Sequence, residues 1–290
     1  VSRCTQGFGF LAPHPHVVAT CAGALAYALH QHEGRVTLQH HAFLSNHFHL
    51  MVSCRERVDL ASFMMLFKSK LTRELNRIHD WEGTIWAGRY ASEELLDEGS
   101  VTQILKYITK NCVKEGLVDH PSQWAGLHGY HQIVERQPLC GPYLDRTLLH
   151  HARELSEEEA STVYKVSLLP PPIWEAEGIE AYGERCALLF DEAITEALAE
   201  REGGSMGMDV VLRQSTYRRR EAPGGCRPLC RAQCRELLRA FREQYNSFKC
   251  AFQEVSYALR SAVRLGLPMP ALCFPAGGVP LFGGGGEPPS

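Results

Sequence analysis

The chain has 290 residues, 44% of them hydrophobic and 22% charged, with a formal net charge of −3. That balance supports one or two globular domains with a buried core and excludes a chain that stays disordered throughout. No apolar run approaches the length of a membrane span and Val1 to Phe10 shows no signal-peptide pattern, so the expectation is a cytoplasmic protein without a membrane partner.

In chain order, Cys4 to Leu11 reads as a first strand. Pro13 and Pro15 open a helix whose apolar face carries Val17, Val18, Cys21, Leu25, Ala28 and Leu29, and Gly34 ends it. Val36 to Leu44 alternates as a strand, Ser45 and Asn46 form a short turn, and His47 to Cys54 returns as the second strand of a hairpin. Asp59 is placed to cap a long helix buried through Leu60, Phe63, Met64, Phe67, Leu71, Leu75 and Ile78. A short strand is expected within Thr84 to Leu95, around "WAGRY". Ser100 and Gln103 match a capping box, so a helix should start there and run to about Glu115, with Gly116 stopping it. The order is βαββαβ and then a helix. It predicts a ferredoxin-like α+β domain with a central antiparallel sheet and helices on one face.

After Val134 the character changes. "LLPPP" (Leu168 to Pro172) reads as a linker or a rigid turn, and helical patterns follow near Ile179 to Glu202 and Leu229 to Leu265. The expected division is a first domain over 1–134, a mainly helical extension over 135–275 and a Gly/Pro-rich, disordered tail over 276–290. Eleven cysteines without framework spacing read as reduced thiols. Cys226, Cys230 and Cys234 recur every four residues, but no second pair follows to complete a zinc site. Acids dominate between His151 and Ser205, and bases dominate from Val211 to Arg264. The basic stretch has two readings, a phosphate-binding surface or a face paired with the acidic stretch, and the sequence favours neither.

The chemistry centres on "NHFHL", Asn46 to Leu50. Residues two apart on a strand face the same side, so His47 and His49 project together while Phe48, Leu50 and Val52 face the other way. The pair reads as a divalent-cation chelate or as polar groups on an exposed sheet face. On the later helix, Gln103, Tyr107 and Asn111 line one edge, and Lys106, Lys110 and Lys114 repeat beside it at steps of four.

Three blocks, "HAFLSNHFHLMV", "GTIWAGRYASEEL" and "YITKNCVKEGLV", resemble the HUH single-tyrosine transposases, and most of all their insertion-sequence-200-like and REP-associated branch. The resemblance covers roughly Val1 to Tyr130, in the family's order and spacing. It implies a metal-dependent single-stranded DNA endonuclease and strand transferase that cleaves near hairpins through a covalent 5′-phosphotyrosine link. It makes Tyr107 the nucleophile and His47, His49 and Asn111 the metal ligands, with Mg²⁺ as the ion and Mn²⁺ as a substitute. Cys112 departs from the proline that relatives place there, which bears on how the helix ends.

Beside those groups, His41 and Gln103 are candidates for supporting contacts. Lys68, Lys70, Arg73, Arg77, Arg89, Lys106, Lys110 and Lys114 are candidates for holding DNA. Trp86 and Tyr90 could stack on bases, although Trp86 reads equally well as core. Relatives complete the site within one chain or with a partner's tyrosine, so a homodimer and a monomer both stay open. Two rival readings remain. One is a hairpin-DNA-binding protein whose catalysis has decayed. The other is a zinc hydrolase in which Tyr107 only orients water.

Overall fold

The computed structural model describes residues 1–152, 154–219 and 228–265. Strand β1 (Ser2–Arg3) is followed by helix α1 (Pro15–Gln31), where proline at the first helical position costs no hydrogen bond. The hairpin is β2 (Val36–Leu44) and β3 (His47–Cys54), with Leu44 opposite His47, Ala42 opposite His49 and a bulge between Leu38 and His40. Antiparallel pairing of β1 with β3 sets the order β1-β3-β2.

Both edges of this sheet are extended without regular strands. Beyond β1, Cys4 bridges Trp86, Thr5 N–H donates to Ile85 (2.8 Å) and Ala87 N–H donates to Arg3 (3.0 Å). Beyond β2, Ala42 bridges His128 and Gly129 N–H donates to His41 (2.8 Å). The segment around Trp86 therefore takes the place of the fourth strand of a ferredoxin-like sheet, and the class is α+β. The expected strand from Cys4 to Leu11 does not form. A 3₁₀ turn at Thr5–Gly7, with positive φ at Gln6 and Gly7, swings the chain out of the sheet instead.

Helix α2 (Arg57–His79) is capped by Glu56, and Asp59 supplies the reciprocal third position rather than the cap. Its Phe67 and Phe63, with Phe43 of β2, form ring contacts around Phe48 on one face of the sheet. "WAGRY" forms no strand beyond the bridge at Trp86, and β4 is only Glu94–Leu95. The cap of helix α3 (Glu98–Lys114) lies three residues earlier than expected. Asp97 is the cap, accepting the Ser100 N–H at 2.8 Å, while Ser100 Oγ reciprocates. It runs through Cys112 without a break and ends before Gly116, whose φ of 66° is the left-handed conformation that suits glycine. Whereas α1 and α2 cover the Phe48 face, α3 lies on the opposite face, where His40 reaches Thr109 Oγ1 at 2.8 Å.

The remaining elements are α4 (Tyr130–Val134), β5 (Leu139–Leu144), α5 (Arg146–His151), β6 (Ser161–Val166), α6 (Gly178–Glu200), α7 (Met208–Leu212), β7 (Cys230–Arg231) and α8 (Arg235–Leu265). The β5–β6 hairpin was not anticipated in a mainly helical stretch. It lies against α1 so closely that a Cβ on Gly23 would sit 1.8 Å from the Pro142 carbonyl oxygen. Helix α6 packs along α3, stacks Phe190 on His40 and hydrogen-bonds Tyr182 to the Gln39 carbonyl (3.2 Å). One buried cluster runs from Cys4 to Val211, so the stretch after residue 134 shares its core with the stretch before it. Among the described residues nine cysteines are free thiols. Cys230 lies in β7 and Cys234 just ahead of α8, so they share no helical stripe; Cys226 and the tail over 276–290 lie outside the described residues. No described helix is long and apolar enough to cross a membrane.

Candidate functional site

His47 and His49 project from β3 toward α3, their rings 5.1 Å apart and nearly perpendicular. Both are buried. His47 Nδ1 lies 2.7 Å from Asn46 Oδ1. An amide oxygen only accepts, so Nδ1 carries the proton in this contact. The turn residue thereby orients the imidazole beside it.

From α3, Tyr107 sets its ring 5.3 Å from the His49 ring, and Asn111 Nδ2 approaches His49 Nε2 at 3.5 Å. The one-turn spacing of Tyr107 and Asn111 turns both toward β3. Asn111 is buried, and its Oδ1 has no hydrogen-bond partner among the described residues. An unsatisfied buried amide oxygen is costly unless something it can ligate completes it. Among the described residues no three His, Cys, Asp or Glu side chains gather for a metal, so the donor set is two imidazoles and this carboxamide. By type, nitrogen and oxygen donors of this kind fit a divalent cation.

Residues 25–111 match the family model for transposases described as IS200-like. This segment belongs to the IS200-like transposase family. No curated protein and no solved structure gives a significant match to the chain. The family implies transposase activity and DNA as the partner. The transposase segment takes in α2 and the β2–β3 hairpin, and it ends at Asn111, so all four residues of the cluster lie within it.

The other expected contacts of the transposase segment divide by face. Opposite residues in an antiparallel pair share a side, and His41 lies opposite Leu50. His41 is therefore on the Phe43–Phe48 face, away from His47 and His49, and it is no supporting contact to them. Lys68, Lys70, Arg73 and Arg77 ride on α2, which packs that same far face. Lys68 donates to the Gly88 carbonyl and covers Trp86, Lys70 lies over Tyr27 and Tyr143, and Arg77 pairs with Glu74. Arg73 is exposed. Trp86 packs edge-on against Phe48 and donates to Thr72 Oγ1 at 2.7 Å, so it is core. Arg89 is exposed and lies over Tyr90.

Of the lysine row, Lys106 is held by Glu192 and Glu196 (3.1 and 2.8 Å) and Lys110 by Glu196 (3.0 Å). Burial opposes the Lys106 charge, but the hydrogen bonds it donates to Glu196 and Glu192 outweigh it and hold its pKa above the usual lysine value. Both cations are thus paired with α6, where the sequence had offered them to DNA. Lys114 stays exposed, its Nζ 5.8 Å from the Tyr107 ring centre. Gln103 is exposed on the same helix.

Two further cations were not anticipated. Arg3 pairs directly with His47 across β1 and β3, so it projects to the site face. Arg231 of β7 is ion-paired with Glu93, and that bond holds its pKa above the usual arginine value; Tyr107 adds to the effect, so the two side chains lie within electrostatic reach. Both residues are visible in sequence only as charges near a chain end and in an extension, and nothing local marks them.

Proposed function

We propose that the chain is a metal-dependent single-stranded DNA endonuclease and strand transferase that works through a covalent tyrosine–DNA link. The observation that carries this reading is the convergence of His47, His49, Tyr107 and Asn111 from a strand and a helix onto one point. Polar groups on an unrelated surface have no reason to meet with three of the four buried and an amide oxygen left unsatisfied.

His47 and His49 through Nε2, and Asn111 through Oδ1, would hold a divalent cation, Mg²⁺ or Mn²⁺. When bound, such an ion neutralises charge on a phosphate oxygen. The chain's own groups do the rest. The Tyr107 ring is half-buried and packs edge-on against His49, so the side chain is held in place but not sealed from a strand. Attack on phosphorus forms the tyrosyl O–P bond and breaks the P–O3′ bond, and the released 3′-oxygen takes up a proton. The phenol's proton leaves to solvent as that bond forms. Lys114 and Arg3 are the cations placed to favour the anionic phenol and the phosphate, and Arg231, though paired with Glu93, lies within electrostatic reach of Tyr107. The bond energy is kept in the tyrosine ester, so rejoining to another 3′-hydroxyl needs no nucleotide.

The test is a denaturing gel of the full chain with labelled single-stranded hairpin DNA and Mg²⁺. A shifted, protease-sensitive adduct is expected from the native chain, and none from Tyr107→Phe or after chelation. Cleavage by Tyr107→Phe at the native rate would remove Tyr107 as nucleophile. Tight hairpin binding with no adduct under any divalent ion would instead favour a DNA-binding protein with decayed catalysis.

A further inference from the structure

Helix α8 lies outside the residues that match the transposase family, and it carries six cations, Arg235, Arg239, Arg242, Lys249, Arg260 and Arg264, against three carboxylates. At 3.6 residues per turn the six fall within an arc of roughly 80°, whereas Glu236, Glu243 and Glu254 fall outside it. All six cations are exposed, and none makes an ion pair among the described residues. The acidic stretch does not cover them, since α6 directs Glu192 and Glu196 to Lys106 and Lys110. Of the two readings the sequence left open for the basic stretch, ion pairing with the acidic one is not found among the described residues.

The stripe is also aimed. Leu238, Phe241, Tyr245 and Phe248 are one side of α8, and they cluster with Cys230 and with Leu96, just ahead of α3. Pairing of β7 with β4 and two bonds to Asp97 Oδ2, from Gln233 N–H (2.6 Å) and Cys234 N–H (2.9 Å), fix the start of α8 at the N-terminus of the Tyr107 helix. From there the cations extend for about 44 Å along the helix, somewhat more than one turn of duplex. Phe252 (45% exposed) and Tyr257 (76% exposed) stand beside them.

We propose that this stripe of α8 grips the phosphate backbone of the DNA that leads into the Tyr107 site, with Phe252 and Tyr257 as stacking surfaces for unpaired bases. The inference rests on the reading of that site as one that works on DNA. Backbone neutralisation by lysine and arginine, with aromatic faces interleaved, is how proteins hold nucleic acid without reading its sequence. An anionic membrane could also attract such a helix. DNA is favoured because the stripe begins at the nucleophile's own helix and because the apolar side from Leu238 to Phe248 packs onto the protein.

The decisive measurement compares the full chain carrying Tyr107→Phe with the same chain also carrying Arg239→Gln, Arg242→Gln, Lys249→Gln and Arg260→Gln. Affinity for a hairpin with a single-stranded flank is followed by fluorescence anisotropy across a salt series. The added substitutions should weaken binding at least tenfold and lower the slope of log affinity against log salt by roughly 0.7 to 0.9 for each phosphate that is no longer neutralised. A charge-keeping set, Arg239→Lys, Arg242→Lys and Arg260→Lys, should retain most of the affinity, which separates an effect of charge from an effect of folding. Unchanged affinity and slope in the glutamine set would overturn the proposal. So would a loss confined to phosphatidylserine vesicles with DNA binding intact. Adduct formation by the native chain reports separately on the Tyr107 site, so the failure of one reading is distinct from the failure of the other.

Discussion

At the scale of single residues, Asn111 is the group whose chemistry is least explained by packing. Its carboxamide is buried, its nitrogen faces His49 and its oxygen is left without a partner among the described residues. If that oxygen ligates a metal, Asn111→Ala should raise the Mg²⁺ concentration needed for half-maximal adduct by roughly 10–100-fold. Asn111→Asp supplies a hard anionic oxygen in the same place and should restore the native requirement or lower it. Superimposable Mg²⁺ titrations for the native chain and Asn111→Ala would show that the residue only packs. The pairing of this residue with Tyr107 on one helical edge was legible from spacing alone, as was the common face of His47 and His49. The side taken by His41 was legible too. The two-residue turn at Ser45 and Asn46 pairs Leu44 with His47, and counting back from it puts His41 opposite Leu50. What no spacing shows is that Lys106 and Lys110 are claimed by Glu196, about 90 residues later.

At the scale of elements, Asp97 joins two parts of the chain. It caps α3 through the Ser100 N–H and accepts from Gln233 and Cys234 at the entry to α8. Asp97→Ala should cost about 1 to 2 kcal/mol from the cap alone. Hydrogen exchange should speed up at Gln233 and Cys234 together with the first turn of α3. If exchange changed only in α3, the link to α8 would carry no stability. Burial works against the Asp97 carboxylate, but bonds from Cys234, Ser100 and Gln233 hold its pKa below the usual range. Its contribution is therefore present above about pH 4, the ordinary carboxylate value, and fades as the pH falls through the lowered one. The helix was foreseen but its start was not, because Asp97–Ser100 and Ser100–Gln103 are overlapping frames of one capping pattern. Only the acceptor position decides between them. The β2–β3 hairpin was readable end to end because alternation and turn are both local. The β5–β6 hairpin was not, since its burial comes from Gly23 and Gly141 letting it close on α1, far away in sequence.

At the scale of the whole molecule, the sheet buries charge-prone groups that should make the fold acid-sensitive. His40, His41 and His128 sit in the shared core around β2. Burial, with repulsion from His128, pushes His41 down to about 3, and burial, with repulsion from neighbouring histidines, pushes His128 down to about 4. His40 is lowered in the same way, first by burial and then by His128 and His41. In the unfolded chain each takes up a proton near pH 6.5, so between that pH and the lowered values the unfolded state binds more protons. Stability must then fall as the pH drops. From pH 7 to pH 5 His41 and His128 should each withdraw about 2 kcal/mol, a large share of a stability of order 10 kcal/mol. Melting followed by circular dichroism at pH 7, 6 and 5 should show the midpoint dropping steeply. His41 offers the cleanest control, because neither of its ring nitrogens has a hydrogen-bond partner among the described residues and it lies away from the Tyr107 site. His41→Leu should raise the midpoint at pH 7 by relieving unsatisfied polar atoms, and raise it further at pH 5 by removing one titrating group. A variant whose midpoint stayed parallel to that of the native chain across the series would show that His41 takes no part in the acid response.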